Sequence, residues 1–262
     1  MGGALIVAIV QTGHFLADFY FQSGRMAKRK RNSSFALLAH CVIYAIVMAV
    51  FCGGGLICLG AISVESSIVV WAVISVSHGV IDAVKVQIEK RGANQFALFS
   101  IDQILHLAIA IASPTIAIYI AGGDCYSGNY MDPVITARII AAFSTLVFIW
   151  KPCMVFIAML LEQIEKDPDA ISDEGDNRNE MLADRQIAAG RWIGVLERVL
   201  VSMLTMASSF PAIAFVLAAK SIARFSQLEE DKSFAERYLV GTLASIALAM
   251  AYPLILQFFL GF

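Results

Sequence analysis

Apolar stretches of about twenty residues, each closed off by a charged segment, recur along the whole chain and constrain the fold more than any other feature. A run of that length crosses the hydrocarbon core of a bilayer as a helix, because only internal hydrogen bonding satisfies the backbone there. Such runs lie at about 4–22, 35–58, 66–88 and 96–121. A fifth starts near Pro133, a good first-turn residue, and reaches about 161, with a kink expected at Lys151-Pro152. The stretch at about 191–225 is interrupted at Ser208-Ser209-Phe210-Pro211. It reads as a tight hairpin of two helices, with one long helix kinked at Pro211 as the competing reading. The last run is about 237–260. The fold class is therefore all-α: a polytopic membrane bundle of seven or eight spans, whose first four helices form two related hairpins.

Only 15% of the 262 residues are charged and 59% are hydrophobic, against roughly 25% charged in a soluble domain. The first run lacks a basic leader and a cleavage signal, so it reads as a retained helix. Arg25, Lys28, Arg29, Lys30 and Arg31 follow it, and Lys90 and Arg91 follow the third. The positive-inside rule puts both loops in the cytoplasm and the N-terminus outside. Four parts follow: 1–122, a four-helix membrane domain; 123–161, a linking helix; 162–190, an acidic cytoplasmic loop; and 191–262, a C-terminal helical region. The acidic loop reads as a solvated linker, or less simply as a docking loop for a basic partner. Cys41, Cys52, Cys58, Cys125 and Cys153 form no Cys-x-x-Cys pair and no disulfide framework. No phosphate loop, dinucleotide fingerprint, nucleophile elbow or basic aromatic patch for nucleic acid is present.

Chemistry concentrates inside the apolar runs. The chain has four histidines, His14, His40, His78 and His106, and every one lies in an expected span. Three have an aspartate four residues away on the same helix face: Asp18, Asp82 and Asp102. At 1.5 Å per residue, all seven groups fall in one slab about 6–15 Å from the cytoplasmic helix ends. His14-x3-Asp18 recurs as His78-x3-Asp82, with Gly13 and Gly79 beside the histidines, and each pair precedes a basic segment and one further histidine. Two packed hairpins would gather the seven around one centre.

Ionisable groups at membrane depth are costly and mark function more often than chance. Three readings compete for these. Histidine with carboxylate suits one or two divalent ions, zinc first and iron or manganese next. A proton or cation relay uses the same residue types. Plain His–Asp hydrogen bonds between helices would serve structure alone. Gln11 and Gln103 are placed to orient ligands from behind. Lys85 either neutralises Asp82 or reaches to the interface. In the second half, Arg191, Arg198, Lys220 and Arg224 read as positive-inside flanking residues, with contact to anionic head groups as the alternative. Glu197, beside Arg198, serves no topological purpose and is read as bonding another helix or receiving a substrate.

These residues carry a resemblance. Gly13-His14-Phe15-Leu16-Ala17-Asp18-Phe19 with Gln22, then Leu37-Leu38-x-His40, His78-x3-Asp82-x2-Lys85 and Asp102-Gln103-x2-His106, resemble in order the bacterial membrane family known as domain of unknown function 3307. This covers about 5–120. Gly190-Arg191-Trp192-Ile193-Gly194-x2-Glu197-Arg198, Ala218-Ala219-Lys220-Ser221-Ile222-Ala223-Arg224-Phe225 and Tyr238-x2-Gly241-Thr242-Leu243 resemble the extension of its longer members. The resemblance implies a bacterial inner membrane and no particular activity. The residues themselves set the expectations: a metal-dependent hydrolase acting on a lipid-like or small amphiphilic substrate from the cytoplasmic leaflet, a proton- or cation-coupled transporter, or a non-catalytic assembly subunit. Membrane lipid and a second copy of the chain are the expected partners, and nucleic acid is not.

Overall fold

The computed structural model describes residues 2–57, 62–121, 133–165 and 180–260. Among these residues every regular element is helical. In chain order the helices are α1 (Gly2–Phe15), α2 (Gly24–Lys30), α3 (Ser34–Ala49), α4 (Val64–Glu89), α5 (Gln95–Ala121), α6 (Pro133–Glu165), α7 (Glu180–Met206), α8 (Phe210–Ile222), α9 (Phe225–Glu230) and α10 (Lys232–Leu260). Wide π-helical turns extend α1 over Leu16–Tyr20 and α3 over Val50–Ile57.

Six helical stretches are long and apolar enough to cross a membrane: Gly3–Tyr20, Ser34–Ile57, Val64–Glu89, Gln95–Ile116, Val134–Glu165 and Lys232–Leu260. The remaining two spans of the eight-span reading correspond to α7 and α8. The first carries Glu197 and Arg198 within its apolar part, and the second has only 13 residues. The break between them is a turn, as the hairpin reading expects. Lys220 reaches back to Glu197, and Val201, Ile213 and Ala249 share one apolar cluster. The expected acidic loop is shorter than 162–190 suggests. Helix α6 continues to Glu165 and α7 starts at Glu180, because Glu180–Ala189 is made of good helix formers with too little hydropathy to register as a span. Asp167, Asp169, Asp173, Glu174 and Asp176 lie outside the described residues. Helix α6 is continuous through Pro152.

The chain divides into two compact units, residues 1–147 with 256–262, and residues 148–255. In the first, α4 shows how the sequence sorts its faces. Ser66, Val70, Ile74, His78, Asp82 and Val86 are buried, while Val64, Ile68, Val76, Val80 and Val84 are exposed. Both series step by about four residues, so they are opposite stripes of one helix. Polarity runs the reverse of a soluble helix, with histidine and aspartate inside and branched aliphatics outside, as lipid-facing surfaces require. Helix α3 repeats this, exposing Phe35, Leu38, Val42 and Ile46 and burying His40, Tyr44 and Met48.

The interior of this unit has two layers. Leu5, Ile6, Ile9 and Val10 of α1 pack with Met48, Val70, Ile74 and Ala110. One or two turns further toward the basic loops, each helix presents its histidine and then, except on α3, its aspartate. Gly13 lets α1 and α3 touch: a Cβ there would stand 3.0 Å from Met48 Sδ and from the Phe51 ring. Ser67 Oγ donates to the Cys52 carbonyl at 2.5 Å and Trp71 Nε1 to the Ala45 carbonyl at 2.8 Å, fastening α4 to α3 and its π extension.

A candidate metal centre between four helices

The helix ends nearest the basic segments build the site. Ser23 and Ser33 cap α2 and α3 by accepting hydrogen bonds from Met26 and Ala36, which fixes the turn that returns the chain from Asp18 to His40. The Phe21 N–H bonds the Leu16 carbonyl at 2.9 Å, a five-residue step. Asp18 therefore sits on a π turn and is rotated from the position four residues after His14 that a regular helix would give it.

All four histidines converge. His40 and His78 are fully buried, His14 is 2% exposed and His106 is 6% exposed. His106 Nδ1 lies 2.7 Å from the Asp102 carbonyl. A carbonyl only accepts, so this nitrogen carries the proton and His106 Nε2 offers a lone pair. His78 Nδ1 lies 2.7 Å from that Nε2, and His78 Nε2 lies 3.0 Å from His40 Nε2. The His14 ring stacks on His106 with centroids 4.6 Å apart. Its Nδ1 lies 3.2 Å from the Tyr44 hydroxyl and its Nε2 3.5 Å from Gln103 Oε1. Tyr44 lies flat on His78, 3.5 Å between centroids and 2° from parallel.

The carboxylates close around this string. Asp18 Oδ1 is 3.1 Å from His40 Nε2 and 3.9 Å from His78 Nε2. Asp82 Oδ2 is 3.3 Å and 3.7 Å from the same two atoms. Asp102 Oδ1 is 3.8 Å from His106 Nδ1. Lys30 Nζ donates to Asp82 Oδ2 at 2.7 Å, and Lys85 Nζ to Asp102 Oδ2 at 2.9 Å. Gln103 Nε2 also donates to Asp102 Oδ2, at 3.0 Å. Among the described residues, Asp102 Oδ1 and His40 Nδ1 are buried without a hydrogen-bond partner, and the only close contacts of Asp18 Oδ1 are with the His40 and His78 rings.

The structure thus brings together all seven predicted residues, with Gln103 behind His14. Gln11 is buried, but its Oε1 makes no hydrogen bond to the cluster. Lys85 takes neither role expected of it, since it pairs with Asp102 across helices and not with Asp82. Two participants escaped the sequence reading. Lys30 was counted with the basic loop, although it reaches Asp82. Tyr44 sits one turn after His40 on the same face, and that spacing was the available signal.

Two groups of three have the proximity a metal needs: Asp18, His40 and His78, and His14, His78 and His106, each offering donor atoms within 4.8 Å of one another. Zinc binds donors at about 2.0–2.1 Å, so neighbouring corners of its tetrahedron stand about 3.3 Å apart. The separations of His40 and His78 from each other and from Asp18 and Asp82, from 3.0 to 3.9 Å, bracket that edge. His106 bonded through Nδ1 to a carbonyl also matches how ligand histidines are oriented.

In the second unit the expected head-group residues separate. Arg198 is 5% exposed. Its Nε donates to the Ile149 carbonyl at 2.6 Å and its Nη1 to Ser245 Oγ at 3.4 Å. Lys220 Nζ donates to Glu197 Oε2 at 2.5 Å, so Glu197 bonds another helix. Arg224 lies over the Phe234 ring at 5.9 Å. The Arg191 side chain lies outside the described residues.

What these features define is an all-helical protein with membrane-length helices around a buried histidine–aspartate cluster. The family model described as Protein of unknown function (DUF3307) matches residues 5–122, a stretch that contains the whole cluster, and the chain resembles that family there. The expected likeness of the second half falls beyond the match. Neither a curated protein nor a solved structure matches the chain.

Proposed function

We propose that the chain is a multi-pass protein of a bacterial inner membrane whose first four spans hold a divalent metal ion, zinc before iron or manganese, and hydrolyse a lipid-like substrate entering from the cytoplasmic leaflet. The observation carrying this reading is the set Asp18, His40 and His78, whose buried donor atoms stand 3.0 to 3.9 Å from one another, a spread that brackets the tetrahedral edge. Three protein ligands leave one position for water, the arrangement of catalytic rather than structural zinc. A bound ion supplies a water acidic enough to be a nucleophile near neutral pH. Asp82, 3.3 Å from His40 and held by Lys30, is placed to accept the proton. Asp102, Gln103 and Tyr44 orient His106, His14 and His78.

Elemental mass spectrometry of the detergent-purified protein, expressed with zinc, iron and manganese supplied, tests this reading. About one or two ions per chain are expected: the ion on Asp18, His40 and His78 is lost in His40→Ala, and a second ion on His14, His78 and His106 is lost in the His14→Ala/His106→Ala double variant, while each variant stays folded. Metal-free wild-type protein would sink the proposal.

A second reading rests on the string His40–His78–His106, whose ring nitrogens follow one another at 3.0 and 2.7 Å. Such a string passes protons. Proton-driven uptake in liposomes that survives metal chelation and stops in His78→Ala would favour this transport reading over hydrolysis.

A further inference from the structure

The second unit contains a pocket of about 900 Å³ that the metal reading does not use. Its charged lining comprises Arg198, Lys220, Arg224, Arg237, Glu197 and Asp231. Lys220 neutralises Glu197, and Arg237 pairs with Glu165. Asp231 Oδ1 accepts from the Phe234 N–H at 2.8 Å and caps the start of α10. Arg198 and Arg224 remain without a carboxylate among the described residues.

Arg198 is the unusual member. A guanidinium buried to 5% exposure without a carboxylate is costly. Its bonds to the Ile149 carbonyl and Ser245 Oγ leave further N–H donors without an acceptor among the described residues. The Tyr238 hydroxyl, on the same pocket, is buried beside Ser221 and Thr242 and meets no close, well-aligned acceptor among the described residues. A buried cation with donors to spare and a hydroxyl on the same pocket suit an oxyanion. Met154, Ile157, Leu161 and Ile193 supply an apolar wall. Gly190 opens onto the pocket with nothing within 4 Å of where its Cβ would stand.

We infer that this pocket binds a phosphate-bearing ligand, with the oxyanion on Arg198 and Tyr238 and an acyl chain along the Met154–Leu161 wall. The inference stands whether or not the first unit holds metal.

The test uses the full chain in neutral detergent and measures binding of phosphatidate, of diacylglycerol and of inorganic phosphate by native mass spectrometry and by thermal shift. Phosphatidate is expected to bind and raise the melting temperature, with diacylglycerol inert. Arg198→Gln should weaken binding about tenfold or more, the loss of a charge-assisted contact. Gly190→Leu starts a side chain where a Cβ meets nothing within 4 Å, so it should obstruct the pocket and weaken phosphatidate binding strongly while the protein stays folded, even if the Arg198 variant does not fold. Inorganic phosphate competing as well as phosphatidate would keep the oxyanion site and assign it to a free phosphate. Equal binding of diacylglycerol and phosphatidate, or phosphatidate binding unchanged in Gly190→Leu, overturns the inference.

Discussion

Gly13 and Gly79 look alike in the sequence, each beside a histidine of the repeated motif, yet the structure gives them different work. A Cβ on Gly13 would press on Met48 and Phe51 at 3.0 Å, whereas one on Gly79 would meet only Cys41 Sγ at an ordinary 3.6 Å. Gly13→Ala should cost about 1–3 kcal/mol by overpacking α1 against α3, and should disturb His14 next to it. Gly79→Ala should be neutral or slightly stabilising, since alanine is the better helix former. Thermal unfolding of the two variants in detergent checks the contrast. Lys85 and Asp102 offer a second residue-scale test. Asp102 is 2% exposed, and removing its lysine leaves a buried charge. Lys85→Met should therefore destabilise by about 3 kcal/mol, and adding Asp102→Asn should restore part of that. At this scale the seven site residues were legible, because polar groups inside apolar runs stand out in any sequence. Their partners were not. Lys30 belongs to a segment already explained by topology, and nothing in spacing alone says that Lys85 prefers Asp102 on α5 to Asp82 on its own helix.

At the scale of elements, hydropathy located the long helices to within a few residues and the hairpin between α7 and α8, but not local departures from regular winding. The π turn at Leu16–Tyr20 has no mark in the motif His14-x3-Asp18. It sets Asp18 3.1 Å from His40 and 3.9 Å from His78 on neighbouring helices, a tertiary contact that local sequence does not announce. The start of α7 was missed for the opposite reason: Glu180–Ala189 favours helix locally but lacks the apolar stripe that a hydropathy reading seeks. The α7–α8 turn is more specific. Ser209 N–H bonds the Leu204 carbonyl at 2.8 Å, and Ser208 between them has φ 56°. This is the helix-ending motif in which glycine is usual at the left-handed position. Ser208→Gly should stabilise the hairpin by about 1 kcal/mol and Ser208→Val should destabilise it. The two melting temperatures should move in opposite directions from the wild type.

For the whole molecule the informative pattern is the direction in which polarity increases. In α1 the sequence of buried groups runs from Ile6 and Val10 to His14, and in α4 from Val70 and Ile74 to His78 and Asp82. In α3 and α5 it runs the other way along the chain, from His40 to Met48 and from Asp102 and His106 to Ala110. Helices of alternating direction thus place their polar ends together, beside the segments that carry Arg25–Arg31 and Lys90-Arg91. Two features agree on that end: the cluster, which the π turn at Asp18 completes, and the basic segments. The positive-inside rule assigns it to the cytoplasm, so the metal site would open to the inner leaflet and the N-terminus would lie outside. Single cysteines at Arg29, Gly92 and Glu65, in a background with the native cysteines replaced by alanine, check this with a membrane-impermeant maleimide on intact and on opened cells. Arg29→Cys and Gly92→Cys should label only after opening, and Glu65→Cys in intact cells. The reverse pattern would turn the bundle over and move the entrance to the outer face, where a cytoplasmic lipid could not reach His40 or Asp18. Labelling of all three in intact cells would break the alternation of helices on which the shared polar layer depends.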